Sequence, residues 1–158
     1  LITGNFFMFR ARIGDALKTA MKAKEKHTVS TVRLIMAALK DRDIAARSKG
    51  NQDGIDEDEI LSMLQSMIKQ RRESIVMYEK GGRAELAEQE AVEIGIIQTF
   101  LPEQMDEAAV SAAVQEAIGD LSATSLKDMG KVMGALKEKF AGQMDFSKAS
   151  AQVKAKLS

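Results

Sequence analysis

Gly130 and Gly134 stand four apart in Met129-Gly130-Lys131-Val132-Met133-Gly134-Ala135-Leu136, a segment that otherwise reads as helix. Each glycine costs a helix interior about 1 kcal/mol against alanine, so two on one face need a reason. One reason is close packing of a neighbouring helix backbone. The other is close approach of a ligand, with Lys127, Lys131, Lys137, Lys139 and, on the next helix, Lys148 meeting phosphate as point charges. At about 100° per residue the pair lies about 110° from the centre of an apolar face made by Leu126, Met129, Val132, Met133, Leu136 and Phe140. That position suits both reasons. On the same wheel Lys131 falls about 40° from Lys127, Lys137 about 80° away on the other side and Lys139 about 120° away, so Lys127 and Lys137 bracket the glycines. Phe140 and Phe146 are the only aromatics nearby, and base stacking is not indicated.

Other reactive residue types have no comparable setting. The single histidine, His27, sits beside Lys24 and Lys26 with nothing to mark a nucleophile or an orienting acid. It is expected as a solvated loop residue. Glu85, Glu88, Glu90 and Glu93 lack the Glu-x-x-His pairing of helical metal-carboxylate sites and read as a solvated acidic face. Aligning Gly54 with the glycine of a calcium loop puts Lys49 first and Ile60 twelfth, where carboxylates are required. Gly81-Gly82-Arg83 follows a helix, not a strand, and lacks the Gly-Lys-Ser/Thr ending of a phosphate loop. No catalytic residue, no metal and no cofactor is expected.

Helices must position whatever these residues do. One proline in 158 residues and 4% aromatics favour helix over sheet, and the apolar spacing is helical throughout. A first helix is expected over about 9–24, burying Phe9, Ile13, Leu17, Ala20 and Met21, and a second, capped by Thr28 or Ser30, buries Val32, Ile35, Met36 and Leu39. Asp56 and Glu59 form a capping box for the third helix, which ends at Gly81-Gly82. The fourth runs from Arg83 to about Phe100, with Leu86, Ile94, Ile97 and Leu101 inward, and stops before Pro102. Asp106, Ser125 with Asp128, and Asp145 open three more. The expected fold is all-α: a four-helix N-terminal domain over 8–101, hinged near Pro102 to a three-helix domain over 102–158. Residues 1–7 are set aside from functional reasoning, with Met8 as a candidate start.

Equal numbers of basic and acidic residues, 23 of each, hide an uneven distribution. Residues 1–50 hold 11 basic side chains against 4 acidic, and residues 121–158 hold 7 lysines against 3 acids. Localised basic faces are possible where a polycation is excluded. No apolar run reaches the roughly 20 residues of a membrane span. Without cysteine there is no disulfide framework. With no basic leader ahead of the short apolar start, a cytoplasmic protein is expected.

The order of several motifs is similar to that of the GatB/YqeY family. They are Thr31-Val32-Arg33-Leu34-Ile35, Ile68-Lys69-Gln70-Arg71-Arg72-Glu73-Ser74, Tyr78-Glu79-Lys80-Gly81-Gly82-Arg83, Phe100-Leu101-Pro102-Glu103-Gln104 and the 129–134 segment. The last resembles the tail domain of the B subunit of glutamyl/aspartyl-tRNA amidotransferase. The resemblance covers about 8–157 and implies an all-helical, stand-alone relative of that tail. In the amidotransferase the related domain contacts transfer RNA while chemistry occurs elsewhere, and the carry-over here reaches residues 130–134 only. The large kinase-and-transamidation portion is missing. The expectation is a non-catalytic transfer-RNA-binding accessory protein, partnered by transfer RNA and by an amidotransferase or aminoacyl-tRNA synthetase complex. The alternatives are a protein-interaction module with no RNA role and a component of a glutamine-dependent carbon–nitrogen ligase complex.

Overall fold

A computed structural model describes residues 8–158. The described chain is all-α: α1 (Met8–Lys22), α2 (Lys26–Ser48), α3 (Glu57–Lys80), α4 (Ala84–Gln98), α5 (Glu107–Asp120), α6 (Met129–Lys139) and α7 (Phe146–Leu157), with no strand among the described residues. A short 3-10 turn, Leu126–Asp128, leads into α6. Two compact units follow one another, the first ending at Leu101 and the second being Pro102–Ser158.

In the first unit α3 lies along α4, α1 pairs with α2, and α2 also packs on α4. Ile13, Val32, Ile35, Ile60, Met63, Leu64 and Ile97 are fully buried between them. Two residues expected in this core are not there. Met21 and Met36 are exposed, since spacing on a shared helix face does not by itself bring a second helix over a side chain. The start of α2 also differs from expectation. α1 closes with Glu25 N–H donating to Ala20 O (3.0 Å) and Lys24 N–H to Met21 O (3.2 Å), while Lys24 takes a left-handed φ of 57°. Only three residues then separate the helices, so α2 begins at Lys26, and Thr28 and Ser30 lie inside it rather than capping it.

One polar cluster ties α1, α2 and the approach to α3. The Arg10 guanidinium donates to both oxygens of Asp43, at 2.7 and 2.8 Å, and to the Ile55 carbonyl at 2.9 Å. Asp43 accepts the Ile55 N–H at 2.9 Å. This needs the chain to pass close to Asp43 at Gly54, where φ is +83° and a Cβ would meet the carboxylate carbon at 2.7 Å. From there Asp56 and Glu59 close the predicted capping box, with Glu59 N–H on Asp56 Oδ1 at 2.8 Å and Asp56 N–H on Glu59 Oε1 at 3.4 Å. Glu57 in turn accepts the Phe9 N–H at 3.2 Å.

The second unit packs α5, α6 and α7 against one another around Val114, Val132, Leu136, Met144, Ala149 and Val153. Asp106 accepts from Ala109 N–H (2.7 Å) and Asp145 from Ser147 N–H (2.9 Å), as their spacing predicts. Leu126 departs from expectation: it is exposed. It belongs to the 3-10 turn, which advances about 120° per residue and carries it off the apolar face of α6.

The Arg10 pair keeps the Asp43 carboxyl below the usual carboxylate range, and the Ile55 N–H adds to this. Burial pushes Glu57 the other way. For Asp43 the folded chain holds the charge to lower pH than the unfolded chain does. Its contribution is complete above the ordinary Asp value of about 4 and fades as pH falls through the lowered one. Asp43→Asn is expected to cost about 3 kcal/mol near neutrality. Urea unfolding against pH should show that difference shrinking in acid; a difference unchanged from neutral pH to strong acid would contradict the pair's role. Gly54→Ala, through the same cluster, is expected to cost about 2–3 kcal/mol.

Candidate nucleic-acid interface

The start of α6 is set by short-range hydrogen bonds. Asp128 Oδ2 accepts Thr124 N–H at 2.9 Å and Ser125 N–H at 3.3 Å, the latter completing a reciprocal cap with Ser125. These bonds hold its carboxyl below the ordinary range, and nearby Lys131 lowers it further. The cap fixes the rotation of the helix. Val132 and Leu136 are driven into the core, so Gly130 and Gly134 face outward.

A Cβ built on either glycine meets nothing within 4 Å. Within the second unit no neighbouring helix reaches that face, so close helix packing there does not explain the pair. The bare backbone opens on space.

The lysines distribute unevenly around it. Counting from Gly130 at about 100° per residue, the glycine pair centres near 20°, with Lys137 about 40° to one side and Lys131 about 80° to the other. Glu138, also exposed, lies only about 20° from Lys131 and so brings a negative charge onto that flank. Lys139 points about 160° from the glycines and its Nζ sits 5.5 Å from the centroid of the Phe140 ring. Lys127 is exposed but belongs to the 3-10 turn, so its expected place on the α6 wheel does not hold. Lys148 is exposed on the first turn of α7. Lys137 and Lys131 are thus the two cations that share the glycine side of α6.

Other candidate residues are accounted for locally. His27 is exposed in the first turn of α2 rather than in a loop. Glu85 pairs with Arg83 at 2.7 Å, and Glu93 pairs with Arg71 at 2.8 Å, linking α4 to α3. Burial and the neighbouring Glu93 push the Glu90 carboxyl above its ordinary range. Gly82 takes φ +71° at the end of α3, where Arg83 N–H donates to Tyr78 O at 2.8 Å, and acts as the expected cap. The Arg10–Asp43 cluster was the polar feature not foreseen. Its one signal was an acid, Asp43, falling in step with the buried stripe Val32, Ile35 and Leu39.

An all-helical chain of two units, with the glycine segment in the second, defines a class of small helical proteins. The chain belongs to the YqeY-like protein family, whose model matches residues 10–157. Among its relatives is the Altered inheritance of mitochondria protein 41 of three yeasts. The Eremothecium gossypii protein is 29% identical over 126 residues, covering 80% of this chain and 63% of the relative. That of Lachancea thermotolerans is 31% identical over 127 residues, covering 77% and 66%, and that of Kluyveromyces lactis is 33% identical over 114 residues, covering 70% and 59%. The chain therefore spans about three-fifths to two-thirds of the length of these relatives. All three are named as mitochondrial, which overturns the expectation of a cytoplasmic protein. The expectation had rested on the want of a basic leader and of a membrane-length apolar run, neither of which names a compartment.

Proposed function

We propose that the protein is a non-catalytic accessory that holds structured RNA, transfer RNA in particular, on the glycine side of α6. The observation that carries this reading is the pair Gly130 and Gly134 facing open space with Lys137 and Lys131 to either side. Missing side chains let a phosphate come close to the helix, and the lysines neutralise it. Residues 121–158 carry lysine and no arginine. Lysine meets phosphate as a point charge, whereas reading of bases favours the forked guanidinium. Binding of this kind tolerates sequence changes and fixes position rather than identity. The similarity of residues 129–134 to the amidotransferase tail domain supports transfer RNA as the ligand and an amidotransferase or aminoacyl-tRNA synthetase complex as the partner. Lys127 and Lys148 extend the surface, and Lys139 contributes least.

The two units act in this proposal as separate domains, 8–101 and 102–158. Limited proteolysis of the native chain is expected to cut first at 102–104, where Pro102, Glu103 and Gln104 are exposed, and to leave two resistant fragments. First cleavage within α3 or α4 would contradict the division.

Titration of transfer RNA at several salt concentrations tests the surface itself. Lys137→Glu and Lys131→Glu should each weaken binding and reduce the slope of log affinity against log salt by about 1. Lys139→Glu and Lys22→Glu should leave both unchanged. If the first two variants fold and bind as the unmodified chain does, the surface is wrongly placed.

A further inference from the structure

The strongest feature outside α6 lies where α1 turns into α2. The two helices, joined by residues 23–25, enclose an open depression of about 710 Å³. Met21, Val29 and Leu34 supply the apolar part of its lining (the floor below) and Lys24, Lys26 and Arg33 the cationic part (the rim), with Ser30 between them; no acidic or aromatic side chain lines it. Met21 is 52% exposed and Leu34 46%, so large apolar surface is left uncovered beside three cations. None of those cations is in an ion pair among the described residues.

Core packing accounts for only part of this stretch. Thr31, Val32 and Ile35 are buried, while Arg33 and Leu34 between them turn outward into the depression. Lys24 also occupies a left-handed position, φ 57°, that glycine fills more easily. A cation therefore stands at the rim in a backbone position that glycine fills more easily.

We propose that this depression is a docking groove for an acidic amphipathic helix of a protein partner. Such a helix sets apolar side chains spaced three and four apart on the floor, while its flanking carboxylates meet Lys24, Lys26 and Arg33. The flexible thioether of Met21 adapts to the incoming side chains. The floor disfavours nucleic acid, which would bring phosphate onto apolar surface and find no aromatic ring to stack on. The groove lies in the first unit and stands independently of the α6 proposal.

The test uses the whole chain and a fluorescein-labelled helical peptide of about 18 residues, with leucine on one face and glutamate flanking it. A second peptide carries lysine in place of glutamate. The glutamate peptide should bind at least about tenfold more tightly than the lysine peptide. Leu34→Asp and the double change Lys24→Glu with Arg33→Glu, each checked for helix content, should weaken it by at least about tenfold, and Lys69→Glu should not. Equal binding of the two peptides, no binding of either, or full binding by the folded groove variants overturns the proposal. So does a result in which these variants spare the peptide but lose bulk transfer RNA or phosphatidylglycerol vesicles.

Discussion

Among the described residues most helix ends are closed by hydrogen bonds from a few neighbouring residues, since the connections are short and hold no disulfide. That requirement shapes the rest of the molecule. Asp56, Asp106 and Asp145 receive N–H groups at three helix starts. At the ends of α1, α2, α3 and α5 a left-handed residue, Lys24, Gly50, Gly82 or Ser122, turns the chain back on its last carbonyls. Where local groups did not suffice, Asp43 reaches from α2 to the Ile55 N–H and needs Arg10 to neutralise it.

The two surfaces described here are products of the same closures. The reciprocal bonds of Ser125 and Asp128 fix how α6 is rotated, and so aim Gly130 and Gly134 away from the core. The tight turn at Lys24 brings the start of α2 beside the end of α1 and leaves Met21 and Leu34 uncovered. In both places a residue disfavoured by local propensity is kept: glycine inside a helix, and lysine at a left-handed position. Local preferences yielding at one point, while the surrounding sequence agrees with the fold, is the pattern expected of functional surfaces.

Helices and most caps were legible in the sequence because both depend on neighbours only; the start of α2, with Thr28 and Ser30 inside the helix, was the exception. The spacing of Asp56 and Glu59, or of Ser125 and Asp128, is enough to define a cap. Membership of the YqeY-like family was legible too, from the order of motifs across 10–157. What failed was rotation. Met21, Met36 and Leu126 have the right spacing for a core, yet periodicity shows which residues share a face and not whether another helix covers it. The glycine pair was ambiguous for that reason, and the open space at 4 Å shows only that nothing among the described residues packs on it. The 3-10 turn moved Lys127, a change of winding that a uniform wheel does not contain. The pairing of Arg10 with Asp43 spans 33 residues and no local rule reaches that far.

Backbone amides report on the glycine face of α6 without altering any charge. Nuclear magnetic resonance titration of the isotopically labelled chain with transfer RNA follows the Gly130 and Gly134 N–H signals directly. Both are expected to move early, together with Lys131 and Lys137, and added salt is expected to reverse the movement. Stationary Gly130 and Gly134 signals, while amides elsewhere in the chain shift on binding, would contradict it.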